Sequence, residues 1–331
     1  MPRSRKSQVS LASTPYYHCV SRCVRRAFLC GKDAVTSHSF EHRRKWIEDK
    51  LHELTQIFAI DLCGYAVMSN HYHVILHIDQ QVANDWTATE VIEQWHQLFS
   101  GNLFSQRHLK GDKLSAAESA VLSDCVAEWR SRLMNISWFM RVLNEGIARQ
   151  ANAEDQCTGR FWEGRFKSQA LLDEVALIAC MAYVDLNPIR AKMAKTPETS
   201  AHTSIKKRIQ KAQTAHLPNH PQQQVKSLLL FSGNPREEMP KGLPFRLTDY
   251  IELVDISGRI IREDKRGAID PQLSPILERL NIETRHWQYL INNFESQFKS
   301  FVGTAFKLKK VCQALGYQRI PGIRGCESYF P

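Results

Sequence analysis

The run IDLCGYAVMSNHYHVILHID, residues 60–79, decides the fold. Its halves, Ile60 to Met68 and His71 to Asp79, are apolar and β-prone, and the Ser69-Asn70 pair between them suits a tight turn, so the run reads as a hairpin. Upstream, PYYHCVSRC (15–23) is aromatic and β-branched and predicts a first strand after a basic arm. Between Ser39 and Phe58 the apolar positions Trp46, Leu51, Leu54 and Phe58 recur at helical spacing among charges, which predicts an amphipathic helix covering one sheet face. Downstream, residues 81–155 are helical in pattern, with polar breaks near Asn84 and at Gly111-Asp112, and read as a helical insertion. RFWEGRFKSQALL (160–172) then reads as loop and strand, and Asp173 is placed to cap a helix that Pro188 stops. The stretch 211–245 is rich in Pro, Gln and Gly and is expected to link a first domain, 1–210, to a helical unit over 246–331. The expected class is α+β: an antiparallel sheet with helices on one face, a helical insertion and a C-terminal helical unit.

Composition narrows the function. The chain of 331 residues carries 44 Lys+Arg against 34 Asp+Glu, a net charge of +10, which favours a polyanionic partner and above all nucleic acid. The excess is concentrated at the start, where the first strand and the residues just after it offer Arg22, Arg25 and Arg26 for phosphate contacts, with solvated surface charge as the alternative. No window approaches the roughly 20 apolar residues of a membrane span, and MPRSRKSQVS lacks the apolar stretch of a secretory signal, so a cytoplasmic, nucleoid-associated protein is expected. Nine scattered cysteines without a CxxC pair argue against a disulfide framework and against a thiolate zinc site.

Two motifs carry chemistry. Alternation along a strand puts His71, His73, Ile75 and His77 on one face, so two imidazoles converge. With 13 histidines in the chain, roughly 0.5 His-x-His pairs are expected by chance, and a pair of hydrogen-bonded sheet histidines is the competing explanation. The second motif is Tyr183-Val-Asp-Leu-Asn187, whose spacing on a helix brings the phenol and the carboxamide side by side. With a reference pKa of about 10, a tyrosine attacks poorly until a base or a nearby cation helps it ionise. A divalent metal held by two histidines and one oxygen ligand polarises a phosphate and stabilises a departing oxygen. The competing explanation here is an aromatic packed in a helix core. In the loop of 160–167, Arg160, Arg165 and Lys167 are placed to neutralise phosphates, while Trp162, Phe161 and Phe166 offer rings for unpaired bases; an anchored basic loop is the alternative. His18 is read as a core residue.

Read together and in order, Met68-Ser-Asn-His-Tyr-His73, Gly159-Arg-Phe-Trp-Glu-Gly-Arg-Phe-Lys-Ser168 and Tyr183-Val-Asp-Leu-Asn-Pro-Ile-Arg-Ala191 resemble the REP-associated tyrosine transposases, single-tyrosine enzymes of the HUH superfamily, over roughly residues 13–205. The resemblance implies a ferredoxin-like sheet, His71 and His73 as metal ligands with Asn187 as the third, Mg²⁺ or Mn²⁺ as the metal, and Tyr183 as the residue that becomes linked to a DNA 5′ phosphate. It also implies a DNA hairpin with a single-stranded flank as partner, cut and rejoined without a nucleotide cofactor; no Walker-type phosphate loop is present. A homodimer, with Tyr183 serving its own chain's site or a partner's, is an open arrangement. Two rival readings are a metallonuclease that activates water, with Tyr183 structural, and a hairpin-binding protein without turnover.

Overall fold

The computed structural model describes residues 11–24, 29–31, 37–233, 241–262 and 275–330. The predicted hairpin forms, with β2 (Ile60–Val67) and β3 (His71–Ile78) paired antiparallel from Ile60 opposite Ile78 to Val67 opposite Tyr72 around the Ser69-Asn70 turn. The register slips between Leu62 and Gly64, a bulge where the sheet meets its covering layer. A Cβ added at Gly64 would stand 3.3 Å from Ser204 Oγ, so a side chain there would press on the chain packed above it. On the far side of β3 lies β1 (Tyr16–Arg22), antiparallel, and then β4 (Lys167–Leu171), also antiparallel.

A fifth strand changes the expected sheet. The short β5 (Phe301–Val302) pairs parallel with β4 through Ala170 and Leu171, so the order is β2-β3-β1-β4-β5 and the sheet is mixed rather than purely antiparallel. The α+β class holds, but helices cover both faces.

One face carries Tyr17, Cys19, Ser21, Tyr72 and Val74. The helix α1 (His42–Ile57) and the last helix of the insertion lie over it. The insertion comprises α2 (Gln80–Asp85), α3 (Ala88–His96), α4 (Leu103–Leu109), α5 (Ala116–Leu133) and α6 (Ile136–Glu154). Thr87 with Glu90 and Ser115 with Glu118 close capping boxes at the starts of α3 and α5, each worth about 1 kcal/mol. Trp95 and Trp129 stack at 5.5 Å between those helices. Asn144 of α6 is the polar pin beneath the sheet: it donates to Ser21 Oγ (3.0 Å), accepts from Tyr72 Oη (2.7 Å), and its carbonyl accepts from the Trp162 indole (2.9 Å). The fully buried Arg43 of α1 pairs with Glu154 and Asp155 at the end of α6, which offsets the cost of burying its charge.

The other face carries His18, Val20, Arg22, His71, His73 and Ile75. Here lies α7 (Glu174–Asp185), buried from Val175 to Asp185 and capped as expected, with Asp173 accepting from Ala176 N at 2.9 Å. It turns at Leu186 into a single further turn, α8 (Asn187–Arg190), in which Pro188 sits at the start, where its missing N–H costs nothing. Asp185 is buried at 1 % exposure, yet it accepts from Ser204 Oγ (2.6 Å), Ile205 N (3.1 Å) and Tyr250 Oη, fastening α7 to α9 (Ser204–Thr214) and α10 (Leu247–Ile261).

The C-terminal helices α11 (Pro275–Arg279), α12 (Thr284–Gln297), α13 (Ala305–Ala314) and α14 (Ile323–Tyr329) follow. Of these α12 packs directly against α7, and its Trp287, Leu290, Ile291 and Phe294 belong to the same continuous core as the sheet. The described parts of the Pro- and Gln-rich stretch expected as a linker pack on this core too: Leu229 N donates to Leu62 O (2.9 Å), and Phe231, Leu243 and Phe245 are buried. Among the described residues no helix is long and apolar enough to cross a membrane.

Candidate active site

Strand pairing assembles the floor of the site. Val20 lies opposite His73 and Arg22 opposite His71, while His18 sits one pair further along, opposite Ile75 on β3 and Gln169 on β4. The rings of His71 and His73 stand 4.8 Å apart at 77°. His73 is fully buried, and its two nitrogens are both engaged: Nδ1 is 2.9 Å from His18 Nε2, and Nε2 is 2.8 Å from Asn187 Nδ2. His71 is half-buried, with Nδ1 2.6 Å from Asn70 Oδ1. That contact keeps the proton on Nδ1 and leaves Nε2 with its lone pair.

The roof comes from α7 and α8. Tyr183 and Asn187 straddle the junction at Leu186 rather than sharing one helix, but the chain stays near helical geometry there, and both side chains reach His73. The Tyr183 ring meets His73 edge-on at 5.8 Å and His18 at 6.4 Å. Phe294 of α12 closes the opposite side at 5.9 Å, and the Arg190 guanidinium lies 4.0 Å over the Tyr183 ring. Arg190 is held there by two backbone carbonyls, donating to Tyr183 O (2.7 Å) and to Ile291 O of α12 (2.6 Å).

Burial sets the protonation of the site. It pulls His71 down to about 4, helped by the charge of Arg22, and pulls His73 well below its ordinary value, helped by His18 and His71. Both imidazoles are therefore neutral at neutral pH, the form that ligates a metal. Burial also raises the Tyr183 phenol, and the positive charge of Arg190 works against that rise. Tyr183 keeps 9 % of its surface exposed, so the ring is walled in without being sealed.

His71, His73 and Asn187 fit a divalent ion through their donor chemistry. The set offers two neutral imidazoles and, once the Asn187 carboxamide rotates half a turn, an amide oxygen in place of the nitrogen that faces His73 Nε2. Among the described residues no group of three or more His, Cys, Asp or Glu side chains is placed to hold a metal ion, and the Asn187 carboxamide is the further oxygen donor beside the two histidines.

The structure brings together four of the residues singled out in the sequence, His71, His73, Tyr183 and Asn187. Arg22 is half-buried beside His71. Arg25 and Arg26 lie outside the described residues. Arg160 and Arg165 are exposed, and Lys167, also exposed, pairs with Glu295 of α12 at 3.5 Å. The rings of this loop are anchors more than open platforms: Phe161 is 2 % exposed, Phe166 and Trp162 9 %, and Trp162 meets Tyr72 edge-on at 5.6 Å. What Trp162 shows outward is one wall of a cleft of about 360 Å³ between α6 and the loop, shared with Met140, Arg141, Arg165 and Phe166.

Several residues of the site escape the sequence reading. His18 is in the core as expected, but as a hydrogen-bonded neighbour of His73. Gln169, Arg190, Phe294 and Glu295 also border the site. Arg190 stands in the Tyr183-to-Ala191 block and was findable there, seven residues after the tyrosine. Gln169 and Phe294 carry no motif, and strand pairing with helix packing alone brings them in.

No protein-family model and no curated protein matches the chain. Among solved structures it is similar to one described as a REP-associated tyrosine transposase bound to a REP hairpin, at 12 % identity and a TM-score of 0.34, covering 63 % of this chain and 86 % of that one. That TM-score is too low for the likeness to speak for this chain's fold or activity.

Proposed function

We propose that the protein is a metal-dependent single-tyrosine DNA strand transferase that binds a hairpin with a single-stranded flank and cuts the flank through Tyr183. The observation that carries this reading is the convergence of His71, His73, Tyr183 and Asn187, from a strand and a helix junction far apart in the chain, on one partly open site. In the reaction, Tyr183 Oη loses its proton to solvent and forms a bond to the scissile phosphorus. The bond from phosphorus to the 3′ oxygen breaks, and that oxygen takes a proton to become a free 3′ hydroxyl. The phosphotyrosine link conserves the energy of the broken phosphodiester, so the reverse reaction rejoins strands without a nucleotide.

A divalent ion bound by His71, His73 and Asn187 would stabilise charge on the phosphate and on the departing oxygen. Arg190 favours the phenolate through its charge over the ring. Phe294 and His73 hold the ring between them. The exposed Arg160 and Arg165, with Arg22 at the rim and Arg25 and Arg26 after it in sequence, supply the phosphate contacts that position DNA. Tyr183 meets the histidines of its own chain, so a homodimer is not needed to complete the site.

One observation favours a second reading. Burial raises the Tyr183 phenol, which suits a structural tyrosine beside a metallonuclease that activates water. Mass spectrometry separates the two: after incubation with a hairpin oligonucleotide and Mn²⁺, the proteolytic peptide containing Tyr183 should carry nucleotide mass. DNA cut with no such adduct would decide for water.

A further inference from the structure

Four buried polar groups form an unbroken row beneath the site. Gln169 Nε2 donates to the carbonyl of Phe298, the residue that ends α12, at 2.8 Å. Its Oε1 lies 2.9 Å from His18 Nδ1, and His18 Nε2 lies 2.9 Å from His73 Nδ1. Exposure along the row is 8 % at Gln169, 1 % at His18 and 0 % at His73.

The direction of every hydrogen bond follows from the fixed end. A carbonyl oxygen only accepts, so the Gln169 amide nitrogen must face Phe298, and the amide oxygen must face His18. His18 Nδ1 therefore carries the proton, and Nε2 of that neutral ring is the acceptor. His73 Nδ1 must then donate, and Nε2 of His73 keeps a lone pair, the partner of the Asn187 amide hydrogen at 2.8 Å. A pure packing role would be served better by leucine, which carries no polar atoms to satisfy.

We infer that Gln169 and His18 form a positioning relay, anchored on the Phe298 carbonyl, that fixes the Nδ1–H tautomer of His73 and aims its Nε2 lone pair into the site. The relay gives the C-terminal unit a share in the chemistry, because the end of α12 decides which nitrogen of a β3 histidine is free. Only the use of that lone pair as a metal donor rests on the proposed function; the tautomer itself does not.

The test is a long-range ¹H–¹⁵N spectrum of the imidazoles in the full-length, metal-free protein, followed by titration with Mn²⁺. In the parent, His73 should show a protonated Nδ1 and a bare Nε2. His18→Phe removes the acceptor, so the Nδ1–H share of His73 should fall to a mixture of tautomers, and Mn²⁺ affinity should drop about ten- to a hundred-fold. His18→Gln, whose amide oxygen accepts from Nδ1, should restore the tautomer and most of the affinity. A parent spectrum with the proton of His73 on Nε2, or a His18→Phe protein whose His73 stays wholly Nδ1–H, overturns the relay. A parent with the expected tautomer that binds no Mn²⁺ upholds the relay and sinks the metal reading instead.

Discussion

Nε2 of His73 lies 2.8 Å from the carboxamide nitrogen of Asn187 across 114 residues of sequence, so the middle of β3 and the start of α8 address the same point. The helical insertion that lies between them in sequence leaves that contact undisturbed. The insertion does so by folding away: α6 packs on the face of Tyr72 and Ser21, while the site faces α7.

Replacing His71 by Ala removes a half-buried ring from the site's edge, so the fold should tolerate it. Mn²⁺-dependent cleavage should fall by at least about 100-fold, with hairpin affinity within a few fold of the parent, since the proposed function assigns binding to phosphate contacts. Because burial holds His71 near 4, Mn²⁺ affinity in the parent should stay level between pH 7.5 and 5.5, where an ordinary imidazole would lose about tenfold. With two imidazole donors, Mn²⁺ should bind more tightly than Mg²⁺. A cleavage assay and a hairpin-binding titration check the first expectation, and calorimetric titration of Mn²⁺ and Mg²⁺ at both pH values checks the other two.

Arg190→Leu removes the charge 4.0 Å above the Tyr183 ring. Burial then acts on the phenol unopposed, so its pKa rises further, and less phenolate forms at any given pH. Single-turnover cleavage should slow by roughly ten- to a hundred-fold, and the rise of rate with pH should shift to higher pH. An unchanged profile with a slower rate would point to lost packing instead.

The C-terminal unit offers a stability prediction. The sequence suggests a self-sufficient 1–210, yet Phe294, Phe301 and Val302 are buried against α7 and β4, and Arg190 and Gln169 both donate to carbonyls of α12 and its end. A chain ending at residue 210 should expose this surface, each lost large aromatic contact being worth about 3–5 kcal/mol, and should be insoluble or unfold without a sharp transition. Soluble truncated protein with a cooperative melt would show that the first 210 residues suffice.

How much of this was legible in the sequence depends on the range of the interaction. The hairpin over 60–79 and the Asp173 cap follow from local rules, and both form where expected. The shared face of His71 and His73 follows from strand alternation. Helices on both faces were hidden, because amphipathic spacing shows that a helix has a buried side but not which sheet face it covers. The β5 addition rests on two residues, Phe301 and Val302, too few to show a period. Trp162 had the composition of a base-stacking residue, while its indole donates to Asn144 in the packed layer. His18 was visible, but its partner Gln169 joins it from a different strand.

The claim that Tyr183 is the nucleophile meets its most direct test in Tyr183→Phe, which deletes one oxygen and keeps the ring that packs between His73 and Phe294. The measurement is a denaturing gel of protein incubated with Mn²⁺ and a hairpin oligonucleotide labelled on the 3′ side of the cut. The parent should acquire the label and release a free 3′ hydroxyl product; the variant, folded and still binding hairpin, should do neither. A Tyr183→Phe protein that becomes labelled, or that goes on cutting the strand, would contradict the account.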